Sequence, residues 1–143
     1  MTKKKTRNSG PRPDPATVFA AGCFNRLHKA HIRMLRSARS LGDRLVVVLA
    51  HDAHNHKPNA VPGALRLRRL RRAGVADFAF LGGRGGFAGS LRRIRPAILV
   101  LGYDQRLPDA ATQDAIRALG IRVVVLPWSP GKEEHHACQC LLP

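Results

Sequence analysis

The sequence has few acidic and few aromatic residues, and both shortages narrow the range of partners. Only 9 of its 143 residues are Asp or Glu, against 25 Lys or Arg, so the formal net charge is +16. This excess indicates anionic partners, such as nucleotides, nucleic acid or phosphorylated metabolites. Aromatic residues make up 5% of the chain, which gives little support to recognition of single-stranded nucleic acid by base stacking.

Cysteine and long apolar runs are scarce as well. The three cysteines, at 23, 138 and 140, are an odd number, unlike the paired framework of a small secreted domain, and a reducing cytoplasm is the expected location. The longest apolar runs, such as Leu45 to Ala50, are far shorter than the roughly 20 residues of a membrane-spanning helix. No apolar segment follows the basic start Lys3 to Arg7, so we do not expect a secretory signal.

What the chain does have is enough apolar sequence for one folded domain. Hydrophobic residues make up 44% of it, and domains commonly run to about 100–150 residues. Residues 1–15 are rich in Lys, Arg and Pro and are predicted to form a disordered basic tail. Residues 16–128 are predicted to form the folded domain, and residues 129–143 an irregular C-terminal tail.

Within residues 16–128, short apolar runs alternate with helical patterns, which predicts a series of βαβ units. We predict strands at Thr17–Ala21, Leu45–Leu49, Ala76–Leu81, Ala97–Leu101 and Ile121–Leu126. Helices are predicted at His28–Ser40, Ala64–Ala73, Phe87–Arg93 and Asp109–Leu119. This pattern predicts an α/β fold with a doubly wound parallel sheet of about five strands, in the order 3-2-1-4-5, between two layers of helices.

Polar residues follow the first and fourth predicted strands, which are neighbours in that order. Ligands of such sheets bind beyond the carboxyl ends of the strands, where the order reverses. His28 and His31 lie three apart at the start of the first helix, with Lys29 between them, and Asp104 follows the fourth strand. Imidazoles at a helix start can donate hydrogen bonds to phosphate oxygens, although two ordinary surface histidines would show the same spacing.

Residues 22–31, Gly-Cys-Phe-Asn-Arg-Leu-His-Lys-Ala-His, resemble the Gly-Thr-Phe-Asp-x-x-His-x-Gly-His signature of the cytidylyltransferase-like nucleotidyltransferases. The resemblance extends over residues 17–128. It includes Leu41-Gly42-Asp43, the loop residues Asp52 and Lys57, Pro62 with Arg66, Val75-Ala76-Asp77, and Leu101-Gly102-Tyr103-Asp104-Gln105. The last segment is most similar to archaeal-type FAD synthases, and next to glycerol-3-phosphate cytidylyltransferase.

The resemblance implies a Rossmann-like fold and a reaction in which a nucleoside monophosphate passes from ATP or CTP to a phosphorylated acceptor, with release of pyrophosphate. Transfer of AMP to FMN is the leading expectation. Two alternatives stay open: a cytidylyltransferase acting on glycerol 3-phosphate or a similar polyol phosphate, and a catalytically weak module that binds nucleotides or nucleic acid. A homodimer and weak nucleic-acid contact through the basic tail are further expectations.

The resemblance also implies roles for individual residues. His28 and His31 are the expected catalytic residues, and a divalent ion such as Mg²⁺ is expected to arrive with the triphosphate rather than in a protein metal site. The expected nucleotide-binding residues are Cys23, Phe24, His28, Lys29, Ala30, His31 and Asp104. Contacts with the acceptor or the phosphates are expected from Asp52, Lys57 and Arg66.

The chain departs from the family signature at three positions of this segment. Cys23 replaces Thr, Asn25 replaces Asp, and Ala30 replaces the Gly before the second histidine. Asn25 keeps an acceptor atom for a turn, and Ala30 adds a methyl group where a phosphate is expected to come close. The Ser/Thr-rich motif that opens a final helix in many relatives is also not evident after residue 128.

Overall fold

The computed structural model describes residues 15–103, 105–107 and 109–127. All of the predicted basic tail except Pro15, the position of Asp104 and the whole predicted C-terminal tail lie outside these ranges.

Five parallel strands form one sheet in the order β3-β2-β1-β4-β5, which confirms the predicted order. The strands are β1 (Thr17–Gly22), β2 (Arg44–Leu49), β3 (Phe78–Leu81), β4 (Ile98–Leu101) and β5 (Arg122–Val125). The helices are α1 (Lys29–Arg39), α2 (Gly63–Ala73), α3 (Ala88–Ile94) and α4 (Ala110–Leu119). Every strand and helix predicted from the sequence is present, and the boundaries shift by at most two residues.

The central strand β1 is buried on both faces, because each face carries a layer of helices. Val18 and Ala20 pack in a cluster with the apolar side chains of α1 and α2. Phe19 and Ala21 pack in a second cluster with those of α3 and α4. A strand covered on both faces must be apolar at every position rather than at alternate ones, which explains the continuous apolar runs in the sequence.

The Leu41-Gly42-Asp43 segment acts as a structural connection at the amino edge of the sheet. A Cβ on Gly42 would lie 2.8 Å from the carbonyl oxygen of Ala16, so only glycine allows the two chain segments to approach this closely. The carboxylate of Asp43 accepts a hydrogen bond of 2.7 Å from the Ala16 backbone N–H. This contact positions the start of β1 beside the start of β2.

Asp77 makes a similar connection between the starts of β2 and β3. Its carboxylate accepts a hydrogen bond of 2.7 Å from the backbone N–H of Leu45 and forms an ion pair of 2.8 Å with the Nε of Arg39. One side chain therefore joins the starts of β2 and β3 to the end of α1, far from the carboxyl ends of the strands. Among the residues that the structure describes, no helix combines the length and apolar character needed to cross a bilayer.

Candidate active site

The carboxyl ends of β1 and β4 lie side by side, as the strand order requires. Ala20 is in register with Val100, and the side chain of Gln105 connects the segments that follow. Its Oε1 accepts a hydrogen bond of 2.7 Å from the Gly102 N–H, and its Nε2 donates one of 3.3 Å to the Ala21 carbonyl. Gln105 thereby joins the segment after β4 to the carboxyl end of β1, where the strand order reverses. Asp104, predicted to contact the nucleotide there, is not among the described residues, and its role stays a prediction.

The two predicted catalytic histidines are brought together at the start of α1. His28 is the N-cap residue and has an extended backbone. The rings of His28 and His31 stack, with centroids 3.8 Å apart and planes inclined by 23°. The structure thus places both imidazoles at one point, at the positive end of the helix dipole.

His31 is held firmly by its surroundings. It is 4% exposed, and its ring meets the Phe24 ring edge to face at 4.9 Å. Its Nδ1 accepts a hydrogen bond of 3.4 Å from the His28 backbone N–H. A neutral imidazole that accepts at Nδ1 carries its proton on Nε2, so His31 is arranged as an Nε2–H donor. This arrangement suits a contact with a phosphate oxygen.

The turn between β1 and α1 has a strained backbone. Phe24 has a φ of 52°, a left-handed conformation that costs a non-glycine residue about 1–2 kcal/mol. Its ring also fills the space beside Gly22, where an added Cβ would lie 3.0 Å from a ring carbon. The side chains of Cys23 and Phe24 are buried, at 0% and 3% exposure. The nucleotide contacts predicted for both residues would therefore be made by their backbone.

Asn25 and Asn55 form a reciprocal pair of buried amides. The Nδ2 of Asn25 donates to the Oδ1 of Asn55 at 3.0 Å, and the Nδ2 of Asn55 donates back to the Oδ1 of Asn25 at 2.7 Å. The Oδ1 of Asn25 also accepts a bond of 3.0 Å from the Val61 N–H. This pair joins the turn after β1 to the long loop after β2. Where the family signature has a carboxylate, this chain has the amide of Asn25, which pairs with a second amide.

Arg66 completes the connection between these loops from inside the protein. Its side chain is fully buried, with Nη1 donating to the Cys23 carbonyl at 3.0 Å and Nε donating to the Val61 carbonyl at 2.7 Å. Nη2 pairs with the Asp52 carboxylate, also at 2.7 Å. In this structure Arg66 is closed to solvent and bound to protein atoms. Its predicted contact with the acceptor or phosphates stays a prediction and would require the loop to open.

Asp52 is the exposed member of this pair, with 61% of its side chain accessible. The hydrogen bond from Arg66 is the main reason that the pKa of Asp52 lies below its ordinary value of 3.8, and the Gly63 N–H adds to the effect. Asp52 is therefore a carboxylate at neutral pH. It lies in a short 3₁₀ turn, Asp52–His54, at the start of the loop after β2.

The remaining predicted residues lie around the first turn of α1 and in the loop after β2. Lys29 is exposed and Lys57 is half-buried, and their contacts with the nucleotide and the acceptor stay predictions. Ala30 is 2% exposed, and its methyl group is covered by the protein rather than open to solvent. Within residues 15–103, 105–107 and 109–127, no group of three His, Cys, Asp or Glu side chains is arranged to hold a metal ion.

Sequence reasoning assigned no role to Asn55 or Gln105, which the structure shows at the centre of the loop contacts. Asn55 lies in a loop without periodicity, between two histidines, and no spacing rule marks it. Gln105 lies in a segment that resembles the family, but no hydrogen-bond partner was predicted for its side chain. Only the adjacency of β1 and β4 shows that its amide can reach the Ala21 carbonyl.

Comparison with known proteins identifies the family of this chain. The family model described as cytidylyltransferase-like matches residues 19–136. The chain belongs to the cytidylyltransferase-like family. Members of this family are nucleotidyltransferases, and the predicted fold and enzyme class of this chain are thereby confirmed.

Two curated relatives, each named FAD synthase, illustrate the similarity. The one from Methanosarcina acetivorans is 39% identical over 125 residues, which covers 83% of each chain. The one from Methanococcoides burtonii is 43% identical over 112 residues, or 76% of this chain and 78% of the relative. The leading expectation from the sequence, transfer of AMP to FMN, agrees with the names of these relatives.

Solved structures show the same architecture. A protein from Thermoplasma volcanium, described as a lipopolysaccharide core biosynthesis protein, superposes with a TM-score of 0.67 at 36% identity, covering 80% of this chain and 97% of its own. Pantothenate synthetase from Thermus thermophilus superposes with a TM-score of 0.53 at 17% identity, covering 85% of this chain and 59% of its own. The second likeness concerns the fold alone.

Proposed function

We propose that this protein is an FAD synthase that transfers AMP from ATP to the phosphate of FMN. An FMN phosphate oxygen forms a bond to the α-phosphorus of ATP, the bond from that phosphorus to the β-phosphate bridging oxygen breaks, and pyrophosphate leaves. The observation that carries the proposal is the stacked pair His28 and His31 at the start of α1, in a chain whose curated relatives include FAD synthases at 36–43% identity.

The site performs this reaction by positioning and by charge stabilisation. His28 and His31 present imidazole donors to the triphosphate beside the positive end of the α1 dipole. The backbone of the Cys23–Asn25 turn, held by Arg66 and the amide pair, receives the nucleotide. Donors held in place before the substrate arrives stabilise developing negative charge without the cost of reorganising water.

Magnesium enters this proposal as part of the substrate. The exposed carboxylate of Asp52 is paired with Arg66, and no three-ligand cluster occurs in the described part of the chain. Mg²⁺ binds phosphate oxygens readily and keeps several of its waters. The MgATP complex can therefore supply most of the ion's ligands itself.

Pyrophosphate release tests the proposal and separates it from its alternatives. Purified protein with MgATP and FMN should release pyrophosphate and form FAD, whereas CTP with glycerol 3-phosphate should give little product. Preference for the second pair would instead support a polyol-phosphate cytidylyltransferase. Absence of turnover with either pair, from protein that still shifts its melting temperature with ATP, would support the weak nucleotide-binding module.

Substitution of the histidine pair tests the assigned site. His28→Ala and His31→Asn should each lower kcat by about 10²–10³, the usual cost of one lost charge-stabilising donor. His56→Ala is the matched control, because His56 is an exposed histidine of the loop after β2 and should leave kcat unchanged. Near-normal kcat in both site variants, with unfolding curves like the wild type, would show that the histidine pair is not the catalytic site.

Two expectations from the sequence accompany this proposal. A homodimer stays a prediction, which sedimentation velocity at micromolar protein concentration would check. The cytoplasmic location also stays a prediction, and a fluorescent fusion in the native host would check it.

A further inference from the structure

The charge on this protein is concentrated in one layer of helices. Helices α1 and α2 contain nine Lys or Arg residues and no Asp or Glu. Helices α3 and α4, on the opposite face of the sheet, contain three Arg residues and one Asp. The net charges are therefore +9 and +2. The positive potential is a property of one face, and a charged face of this kind attracts polyanions.

Seven of these nine cations are exposed, and six of them form the outer surface described below. These six are Lys29, Arg33 and Arg36 of α1 and Arg68, Arg69 and Arg72 of α2. Of the other three, Arg71 is also exposed. Arg39 pairs with Asp77, Arg66 is buried, and Arg71 donates to the Ala79 carbonyl at 2.7 Å.

Helices α1 and α2 cover the same face of the sheet, so their exposed cations belong to one side of the molecule. Leu35 of α1 and Leu70 of α2 pack in the same apolar cluster against β1 and β2. On α1, the positions 29, 33 and 36 recur at helical spacing and therefore share one side of the helix. An open groove of about 510 Å³ runs along that side from His28 past Arg33 to Arg36.

The chemistry of this surface favours phosphates over other ligands. Neither helix contains Phe, Tyr or Trp, which excludes base stacking by these helices. The large exposed hydrophobic side chains of the described residues lie elsewhere, at Leu41, Phe78, Phe80, Leu81, Tyr103, Val123 and Val125. The surface therefore lacks the apolar groups that amphipathic helices insert into a membrane. The planar guanidinium of arginine can donate two hydrogen bonds to the oxygens of one phosphate group.

We propose that the outer face of α1 and α2 binds double-stranded nucleic acid through its phosphate backbone, without reading the base sequence. The six exposed cations of this face supply the contacts. The α2 part of this surface lies apart from the histidine pair, whereas Lys29 and the groove beside His28 border the nucleotidyltransferase site.

The test measures binding of the full-length protein to a 20-base-pair duplex as a function of salt. With about six phosphates neutralised, the slope of log K against log salt should be about −5, since each contact contributes about −0.9. The variant Arg68→Gln/Arg69→Gln/Arg72→Gln should reduce the steepness of that slope by about 2.7. Its affinity at 100 mM salt should fall by at least about tenfold.

The matched control is Arg92→Gln/Arg93→Gln/Arg117→Gln, which removes the same charge from α3 and α4. It should bind almost as tightly as the wild type, and any contribution from the basic residues 3–7 is the same in both variants. Equal weakening of the two variants, or a wild-type slope shallower than −2, would overturn the proposal. Equally tight binding to anionic phospholipid vesicles would overturn it too.

Comparing the affinities for duplex DNA and duplex RNA of the same sequence distinguishes the natural source of the phosphates. We expect similar affinity for duplexes of unrelated sequence. A strong preference for one sequence would contradict backbone recognition. Pyrophosphate release by the α2 variant should match the wild type, because none of its three residues lies at the histidine pair. If the α2 variant loses duplex binding but keeps its turnover, the loss can be assigned to this face and not to a damaged catalytic site.

Discussion

Replacement of Arg66 by Met removes the guanidinium that joins the two active-site loops. Methionine has a similar length but no donors, so the Cys23 and Val61 carbonyls lose their hydrogen bonds of 3.0 and 2.7 Å. Leaving the buried Cys23 carbonyl without a partner costs about 1–3 kcal/mol, and the part-buried Val61 carbonyl adds about 1 kcal/mol or less. Loss of the pair with Asp52 adds less than about 1 kcal/mol, since that carboxylate is well hydrated. We expect Arg66→Met to lower the free energy of unfolding by about 2–4 kcal/mol.

Urea denaturation followed by circular dichroism measures this loss. With an m-value of about 2 kcal/mol per molar urea, the middle of the usual range, the midpoint should fall by about 1–2 M. Arg68→Met is the control, because Arg68 is exposed on the same helix and such surface changes usually stay within about 0.5 kcal/mol. Arg66→Lys should fall between the two, because an ammonium cannot reproduce the planar fork. Equal midpoints for Arg66→Met and Arg68→Met would refute the role of Arg66 in joining the loops.

Three further predictions follow from the same structure. The folded state holds the pKa of Asp52 below its ordinary value of 3.8. The ionised Asp52 carboxylate therefore stabilises the fold fully above that pH, and this contribution is lost as pH falls through the folded pKa. Asp52→Asn should reduce this acid sensitivity in urea midpoints measured from pH 6 to pH 3. Gly42→Ala should destabilise by about 1–3 kcal/mol, because its Cβ would lie 2.8 Å from a backbone oxygen, whereas Gly89→Ala in α3, with open space around it, should be neutral or slightly stabilising in thermal unfolding. Asn25→Asp should destabilise by about 1–3 kcal/mol, because a buried carboxylate cannot donate to the Oδ1 of Asn55; unchanged stability at pH 7 would contradict the paired amides.

The histidine pair shows which features of the site local sequence patterns can predict and which they cannot. Helical spacing alone places His28 and His31 on one side of a helix, and the glycine turn before them predicts a strand end. That their rings stack at 3.8 Å depends on the extended N-cap conformation of His28 and on the Phe24 ring against His31. These side-chain arrangements result from packing rather than from spacing.

Arg66 illustrates a feature that the local pattern did not predict, namely its burial among protein carbonyls. The five arginines of α2 look alike in the sequence, and family resemblance singled out Arg66 as a ligand contact. Burial depends on which side of α2 faces the sheet and on the carbonyls that meet it there. The tertiary structure therefore separates one fully buried arginine from neighbours that are exposed.

The sequence by itself determined the architecture, because continuous apolar strands alternating with amphipathic helices have few ways to bury their surface other than a covered parallel sheet. It also determined the family and the location of the histidine motif, since both depend on residues close together in the chain. Only the tertiary structure decided the pairing of Asn25 with Asn55, the bridge made by Gln105 and the basic outer face of α1 and α2. These features join residues from separate βα units, and their contacts exist only after the sheet has brought the units together.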